Sequence, residues 1–329
     1  MLILNAEDVR RALPMAEAIA AMKAAFAALS DERAIVPPRA HLSIQRHAGT
    51  SLFMPAYVDD DDPAGEALTI KAVSLFDHNQ ARGLARIQAA VLVLEPDTGR
   101  PIALLEGATL TGIRTAAASG AATDLLARAN AKTLAILGAG VQARTHIAAV
   151  CAVRNIEEVR IYSRTRDKVA ALIDEMSADV TAPLLPVDSP REAVAGADVI
   201  CCTTTSSTPI FDDADLQPGV HVNAVGSYTP QACEVPAATV LRSLVVVDSR
   251  DAAWEEAGDL IQPLEAGQIT KDHVHAELGE LVLKRRPGRT SNEQITFFKS
   301  VGIAVQDAFA AQAARSRAAT LGIGQTVAW

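Results

Sequence analysis

An apolar run, Leu134-Ala135-Ile136-Leu137, leads directly into Gly138-Ala139-Gly140-Val141-Gln142-Ala143. The spacing is G-x-G-x-x-A between a candidate strand and a candidate helix, the arrangement that cradles a pyrophosphate. Gly138 permits the tight turn, Gly140 lets the backbone approach the phosphates, and Ala143 allows close helix-to-strand packing. The N–H groups at the helix start, around Val141 and Gln142, have no partner within the helix and favour an anion. The chemistry implied is dinucleotide binding.

The next strand decides which dinucleotide. It runs Val159-Arg160-Ile161-Tyr162 and continues as Ser163-Arg164-Thr165. A site selective for NAD usually places Asp or Glu here to accept from the ribose hydroxyls. A carboxylate would repel a 2′-phosphate, whereas the Arg164 guanidinium can grip one bidentately, with Ser163 and Thr165 as neutral donors. The segment therefore predicts NADP(H) as preferred cofactor. NAD(H) is the alternative if Arg164 is only a solvated turn residue.

Three isolated cations sit on otherwise apolar or rigid segments. Lys71 lies among Leu68, Ile70, Ala72, Val73 and Leu75, Arg39 follows Pro37-Pro38, and Arg114 lies in Thr111-Gly112-Ile113-Arg114-Thr115-Ala116. A lysine in such a strand is costly to bury unless paired, so it either meets a partner or snorkels to the surface. Together the three suit a substrate carboxylate. Other constellations carry less. His273-x-His275-x-Glu277 has metal-like spacing but falls in an amphipathic segment read as a surface helix, so no metal is expected. The run Asp59-Asp60-Asp61-Asp62-Pro63 lacks EF-hand spacing and is read as a solvated loop. No G-x-S-x-G, H-E-x-x-H or P-loop occurs.

These residues need elements to hold them. Met15, Ile19, Met22, Phe26 and Leu29 recur at helical spacing. From about Pro37 to Glu106 the pattern becomes strands, with Ile87–Leu94 and Ile102–Leu105 forming a hairpin about Pro96-Asp97-Thr98-Gly99. An Ala-rich helix runs from Thr109 to Ala129. Strand candidates Thr133–Leu137, Val159–Tyr162, Val199–Thr203, His221–Val225 and Leu244–Val247 then alternate with helices such as Val141–Val150 and Lys168–Met176. Alternation of this kind predicts a parallel sheet with helices on both faces. Val301 to Ala318 closes the chain as a long helix.

The composition agrees. A chain of 329 residues suggests two domains at about 100 to 200 residues each. Apolar residues are 49% and charged residues 21%, as in a compact protein rather than a disordered one. The formal charge of −9 argues against nucleic acid as a partner, which needs a basic face. No apolar run approaches the roughly 18 residues of a membrane span, and Glu7 and Asp8 follow the start too soon for a signal peptide. Cys151, Cys201, Cys202 and Cys233 have no metal or framework spacing, so the expected compartment is the cytoplasm.

The sequence resembles the ornithine cyclodeaminase/mu-crystallin family over nearly its whole length. The likeness is carried by Lys71-Ala72-Val73-Ser74-Leu75-Phe76, Arg82-Gly83-Leu84, the stretch from Leu110 to Ser119, the glycine loop at Gly138, and Asn223-Ala224-Val225-Gly226-Ser227. It continues in Glu256-Ala257-Gly258-Asp259-Leu260, Pro287-Gly288-Arg289-Thr290-Ser291 and Phe298-Lys299-Ser300-Val301-Gly302. The resemblance implies an α/β fold in which a Rossmann-type doubly wound parallel sheet (residues 119–297) is inserted into a β-rich α+β dimerisation and substrate domain (1–118 and 298–329). It implies a homodimer. It also implies that Arg39, Lys71 and Arg114 hold the substrate carboxylate, with Lys71 beside the reacting nitrogen. Thr115, Thr203, Val225 and Gly226 join Gly138, Ala139, Gly140, Val141, Gln142, Ser163, Arg164 and Thr165 as expected cofactor contacts. Two acids that cyclodeaminases use match Tyr228 and Leu52 here. The reading is thus an NADP(H)-dependent reductase of 2-imino acids, with Δ1-pyrroline-2-carboxylate and Δ1-piperideine-2-carboxylate as preferred substrates and Lys71, or a water it orders, as proton donor. Ornithine cyclodeamination, alanine dehydrogenation and a non-catalytic, crystallin-like ligand-binding role are the alternatives.

Overall fold

The computed structural model describes residues 1–60 and 65–329. The chain opens with β1 (Leu2–Leu4), α1 (Ala6–Ala12), α2 (Met15–Ser30), β2 (Ala34–Ile35), β3 (Ala40–Ile44), β4 (Gly49–Val58), β5 (Ala67–Phe76), β6 (Ile87–Leu94), β7 (Pro101–Glu106) and α3 (Gly107–Leu126). It continues with β8 (Thr133–Leu137), α4 (Val141–Val153), β9 (Glu158–Tyr162), α5 (Arg166–Met176), β10 (Leu184–Pro186), α6 (Pro190–Val194), β11 (Val199–Cys202) and β12 (His221–Ala224). Next come α7 (Ala237–Arg242), β13 (Leu244–Val247), α8 (Arg250–Glu256), α9 (Gly258–Glu265), β14 (Val274–Glu277), α10 (Leu278–Val282) and β15 (Thr296–Lys299). The chain ends with α11 (Ala304–Leu321) and β16 (Gln325–Thr326).

Two compact units result. The first is Met1–Arg114 with Ile303–Trp329, and the second is Thr115–Gly302. The division lies at 114/115, inside α3, and at 302/303, where the sequence had suggested 118/119 and 297/298. The latter would cut β15, which is hydrogen-bonded within the second unit's sheet.

In the first unit the strand order is β16-β1-β7-β6-β5-β4-β2, with β3 also pairing β4. The helix α11 packs on β4, β5 and β6, and α2 packs on α11. Small side chains make this approach possible: Ala304, Ala308, Ala311 and Ala314 are all buried. The face of β5 turned to α11 is its more polar one. Thr69, Lys71 and Val73 are buried, whereas Ile70 is 38% exposed. Ile35, Leu42 and Phe53 are also exposed apolar residues. Their register places them with Ile70 on the side of the sheet away from α11.

The second unit has the order β10-β9-β8-β11-β12-β15-β13-β14, with every pair parallel. Its apolar strands are buried on both faces, as a parallel sheet covered by helices requires. From β8 the chain adds β9 and β10 on one side, then crosses to β11 and β12 on the other. A crevice opens outside the strand ends at such a reversal. The segment expected to be helical is instead a 3-10 turn ending at His273 followed by strand β14, where Val274 and Ala276 are buried at a period of two. His273 and His275 bond to the carbonyls of Val240 and Pro287, and no metal-type cluster exists among the described residues. Asp60, from the acidic run, pairs with Arg33 at 2.8 Å, while Asp61, Asp62 and Pro63 lie outside the described residues. The cysteines at 201 and 202 are free and buried in β11, as a core strand predicts. Among the described residues no single helix is long and apolar enough to cross a membrane.

Candidate active site

The sheet register brings the first unit's cations together. Met54 pairs with Lys71, and Lys71 pairs with Val91. Extending the β3–β4 ladder by one residue puts Arg39 opposite Met54. Lys71 does not snorkel; it is 1% exposed. Its Nζ lies 2.6 Å from Asp307 Oδ2, an ion-pair contact off the ideal hydrogen-bond direction. Arg114 reaches the same carboxylate, its Nε donating to Asp307 Oδ1 at 3.1 Å and its Nη1 donating to Gln306 Oε1 at 3.0 Å. Among the described residues the Arg114 guanidinium has no other hydrogen-bond partner.

The electrostatics of the trio follow from burial. Burial pulls the Lys71 ammonium down to about 8, helped by the fields of Arg114 and Arg39 and opposed by Asp307. Burial alone would raise the Asp307 carboxyl, but Arg114 and Lys71 hold it below the usual range. A lysine so placed carries its proton at neutral pH and gives it up more readily than a free lysine. Asp307 and Gln306 were not found from sequence. The one available signal is that Asp307 shares a helix face with Ala304, Ala308 and Ala311.

The second unit holds a cleft of about 490 Å³ at the strand-order reversal. Gly138, Ala139, Gly140, Ser163, Arg164, Thr165 and Thr203 line it. Gly138 adopts φ +117, and a Cβ there would meet Thr203 Oγ1 at 2.7 Å. The Thr203 hydroxyl and N–H both donate to Leu137 O, which fixes the rim. A Cβ on Gly140 would meet nothing within 4 Å, so this residue faces open space, as close approach to a pyrophosphate demands. Gly140 is also the N-cap of α4 and offers no side-chain acceptor to the first-turn N–H groups. These features fit a dinucleotide. Arg164 and Lys168 both line the cleft, both are exposed, and neither has an ion-pair partner among the described residues. Lys168, four residues after Arg164 and in α5, was missed from sequence.

Five expected cofactor residues do not line this cleft: Thr115, Val141, Gln142, Val225 and Gly226. Thr115 lies in α3. Val141 and Gln142 open α4. Val225 and Gly226 follow β12, where Gly226 N donates to Glu234 Oε2 at 2.7 Å.

The ornithine cyclodeaminase/mu-crystallin family model matches residues 1–321. The chain is 41% identical over 328 residues to the Delta(1)-pyrroline-2-carboxylate reductase of Bacillus cereus, covering 99% of each. Among solved structures it matches the Thermococcus litoralis Delta(1)-pyrroline-2-carboxylate reductase in complex with NADH and L-proline, at 40% identity and a TM-score of 0.94, covering 99% of this chain and 100% of the other. An archaeal alanine dehydrogenase dimer with bound NAD matches at 28% identity and a TM-score of 0.92, covering 100% of this chain and 99% of the other.

Proposed function

This chain belongs to the ornithine cyclodeaminase/mu-crystallin family, and on that premise we propose that it reduces cyclic 2-imino acids, with Arg39, Lys71 and Arg114 as the substrate-binding set. It is a nicotinamide-dependent oxidoreductase acting on C=N bonds. Its substrates are cyclic ketimines: Δ1-pyrroline-2-carboxylate, giving L-proline, and Δ1-piperideine-2-carboxylate, giving L-pipecolate. NADP(H) is the preferred cofactor, a reading supported by Arg164 and Lys168 and by Ser163, not an acid, directly after β9.

The observation that carries the mechanism is the buried Lys71–Asp307–Arg114 cluster. Arg114, oriented by Asp307 and Gln306, directs its unused donors at the substrate carboxylate, and Arg39 adds a second positive charge. When bound, the nicotinamide supplies a hydride to the imine carbon. Lys71 gives a proton from Nζ to the imine nitrogen, so that C=N becomes CH–NH, and then regains a proton from solvent. Asp307 keeps Lys71 protonated until that moment. Tyr228 and Leu52 supply no carboxylate for a distal ammonium, which supports a ring substrate over ornithine. The exposed apolar residues Ile35, Leu42, Phe53 and Ile70 support a homodimer that covers that side of the sheet.

The test is a substrate panel followed by nicotinamide absorbance. NADPH should be consumed with either cyclic ketimine, and L-ornithine with NADP⁺ should release no ammonia. Ammonia and proline appearing together from ornithine would replace this reading with cyclodeamination. No turnover with any substrate, despite NADPH binding, would favour a ligand-binding role.

A further inference from the structure

Glu234 is fully buried, lines no part of the cofactor cleft and belongs to no motif singled out in the sequence. Its carboxylate nevertheless joins the loops that leave two adjacent parallel strands, β11 and β12. Oε1 accepts from Thr204 N at 2.6 Å and from Thr204 Oγ1 at 2.9 Å. Oε2 accepts from Gly226 N at 2.7 Å and from Ser227 N at 3.1 Å. Thr204 lines the cleft. A Cβ on Gly226 would sit 1.8 Å from Thr204 O, so the two loops touch with no side chain between them.

A second buried pair completes the circuit. Lys299 Nζ donates to Ser227 O at 2.6 Å and to Ser227 Oγ at 2.5 Å, and pairs with Asp259 at 2.9 Å. Ser227 Oγ donates to the same Asp259 carboxylate. The other Asp259 oxygen accepts from Glu234 N at 2.7 Å and from Val235 N at 3.0 Å. Every polar group of Ser227 is thereby held, and Glu234 is held through its backbone as well as its side chain.

We infer that Glu234 is a positioning residue for the cofactor site: one carboxylate fixes the Thr204 edge of the cleft to the Gly226–Ser227 loop. The inference rests on the nicotinamide reading above. The ionised carboxylate is the form that answers all four contacts, because three of the partners are backbone N–H groups that can only donate and the Thr204 hydroxyl donates as well. An amide would turn its NH₂ group toward at least one backbone N–H in either orientation and so weaken the tie to one loop. Asp is one methylene shorter and reaches one loop but not both.

The test uses Glu234→Gln and Glu234→Asp in the full chain, at a pH of about 8. The dissociation constant for NADPH, read by equilibrium fluorescence without substrate, should rise at least about tenfold in both, on the scale of lost charge-assisted hydrogen bonds. The ketimine KM at saturating NADPH should change less than about threefold. A folded variant with unchanged NADPH affinity would show that Glu234 only stabilises the unit, and would overturn the inference. If neither variant folds, amide exchange in the wild-type chain decides. The N–H groups of Thr204, Gly226 and Ser227 should exchange as slowly as those of β11 and β12, with or without NADPH. Exchange at exposed-loop rates would overturn the inference. A wild-type chain that binds neither NADPH nor NADH would overturn the cofactor reading, and this inference with it.

Discussion

Asp307→Asn removes one negative charge from between Lys71 and Arg114 and leaves the shape nearly intact. The value of about 8 for Lys71 is a balance in which burial and two arginines press down and Asp307 presses up. Losing an opposite charge at contact distance shifts a pKa by about 1–3 units, or about 1.4–4 kcal/mol. Lys71 should then titrate between about 5 and 7. With a value near 6, its protonated fraction at pH 7.5 falls from about three-quarters to about 3%, roughly a 25-fold loss of the acid form. The assay is kcat/KM for a cyclic ketimine across pH, with wild type and variant compared so that ionisation of the substrate cancels. Wild-type activity should fall above about pH 8, where Lys71 loses its proton, and the same limb in the variant should lie about 1–3 units lower. Recovery of the variant near pH 6 is the signature. NADPH binding serves as the control for folding, because its cleft lies in the other unit. An unmoved limb, or an equal loss at every pH, would refute the argument and leave Asp307 only the orientation of Arg114.

Lys71→Met should fold and bind NADPH while ketimine reduction falls at least about 100-fold, measured by single-turnover kinetics. Arg164→Ala should raise the NADPH KM about 10- to 100-fold and leave the NADH KM nearly unchanged; a wild type that prefers NADH would contradict this. His146 and His221 are held down by burial to about 4 and about 3, so the stability they contribute is complete above about pH 6.5 and is lost as pH falls toward those values. Between pH 7 and 5 that is about 2 kcal/mol for each, while Glu234, pushed up by burial to about 7, returns about 2. The raised Glu277 opposes the loss as Glu234 does, so denaturant unfolding should show a net loss smaller than that of the two histidines over this range, and a net gain would show the wrong sign. Sedimentation should give about twice 34.5 kDa, and Ile70→Asp should shift the balance toward monomer.

The dinucleotide unit was legible because its signals are local. A strand, a glycine turn and a helix start within ten residues of one another, and the β–α alternation repeats. Short strands were harder. Thr296-Phe297-Phe298-Lys299 was not among the strands read from the sequence, since it ends in a lysine, yet Lys299 is fully buried against Asp259 and Ser227. On β5 the alternation was visible, but its sense was inverted by partners distant in the chain: the polar side faces the core because Asp307 waits there for Lys71. Near residue 307 only the shared face with Ala304, Ala308 and Ala311 hints at burial, and nothing there names the partner, since Arg114 is 193 positions earlier. Glu234 was silent for the same reason. Its four donors come from two loops, and only the parallel pairing of β11 and β12 makes them neighbours.

Because α11 follows the inserted unit, a ribosome delivers Asp307 long after Lys71 and Arg114. Until then the nascent sheet carries a lysine on its inward face with no counter-charge. The unpaired side chain must stay hydrated or shed its proton, and either course disfavours closing that core. The intervening residues 115–302 form a contiguous unit that can complete itself in the meantime, as domains do during synthesis. The arrival of the C-terminal helix is therefore the step that seals the first unit. A product cut short before α11 would keep the residues that line the dinucleotide cleft and lack Asp307, the counter-charge of both Lys71 and Arg114.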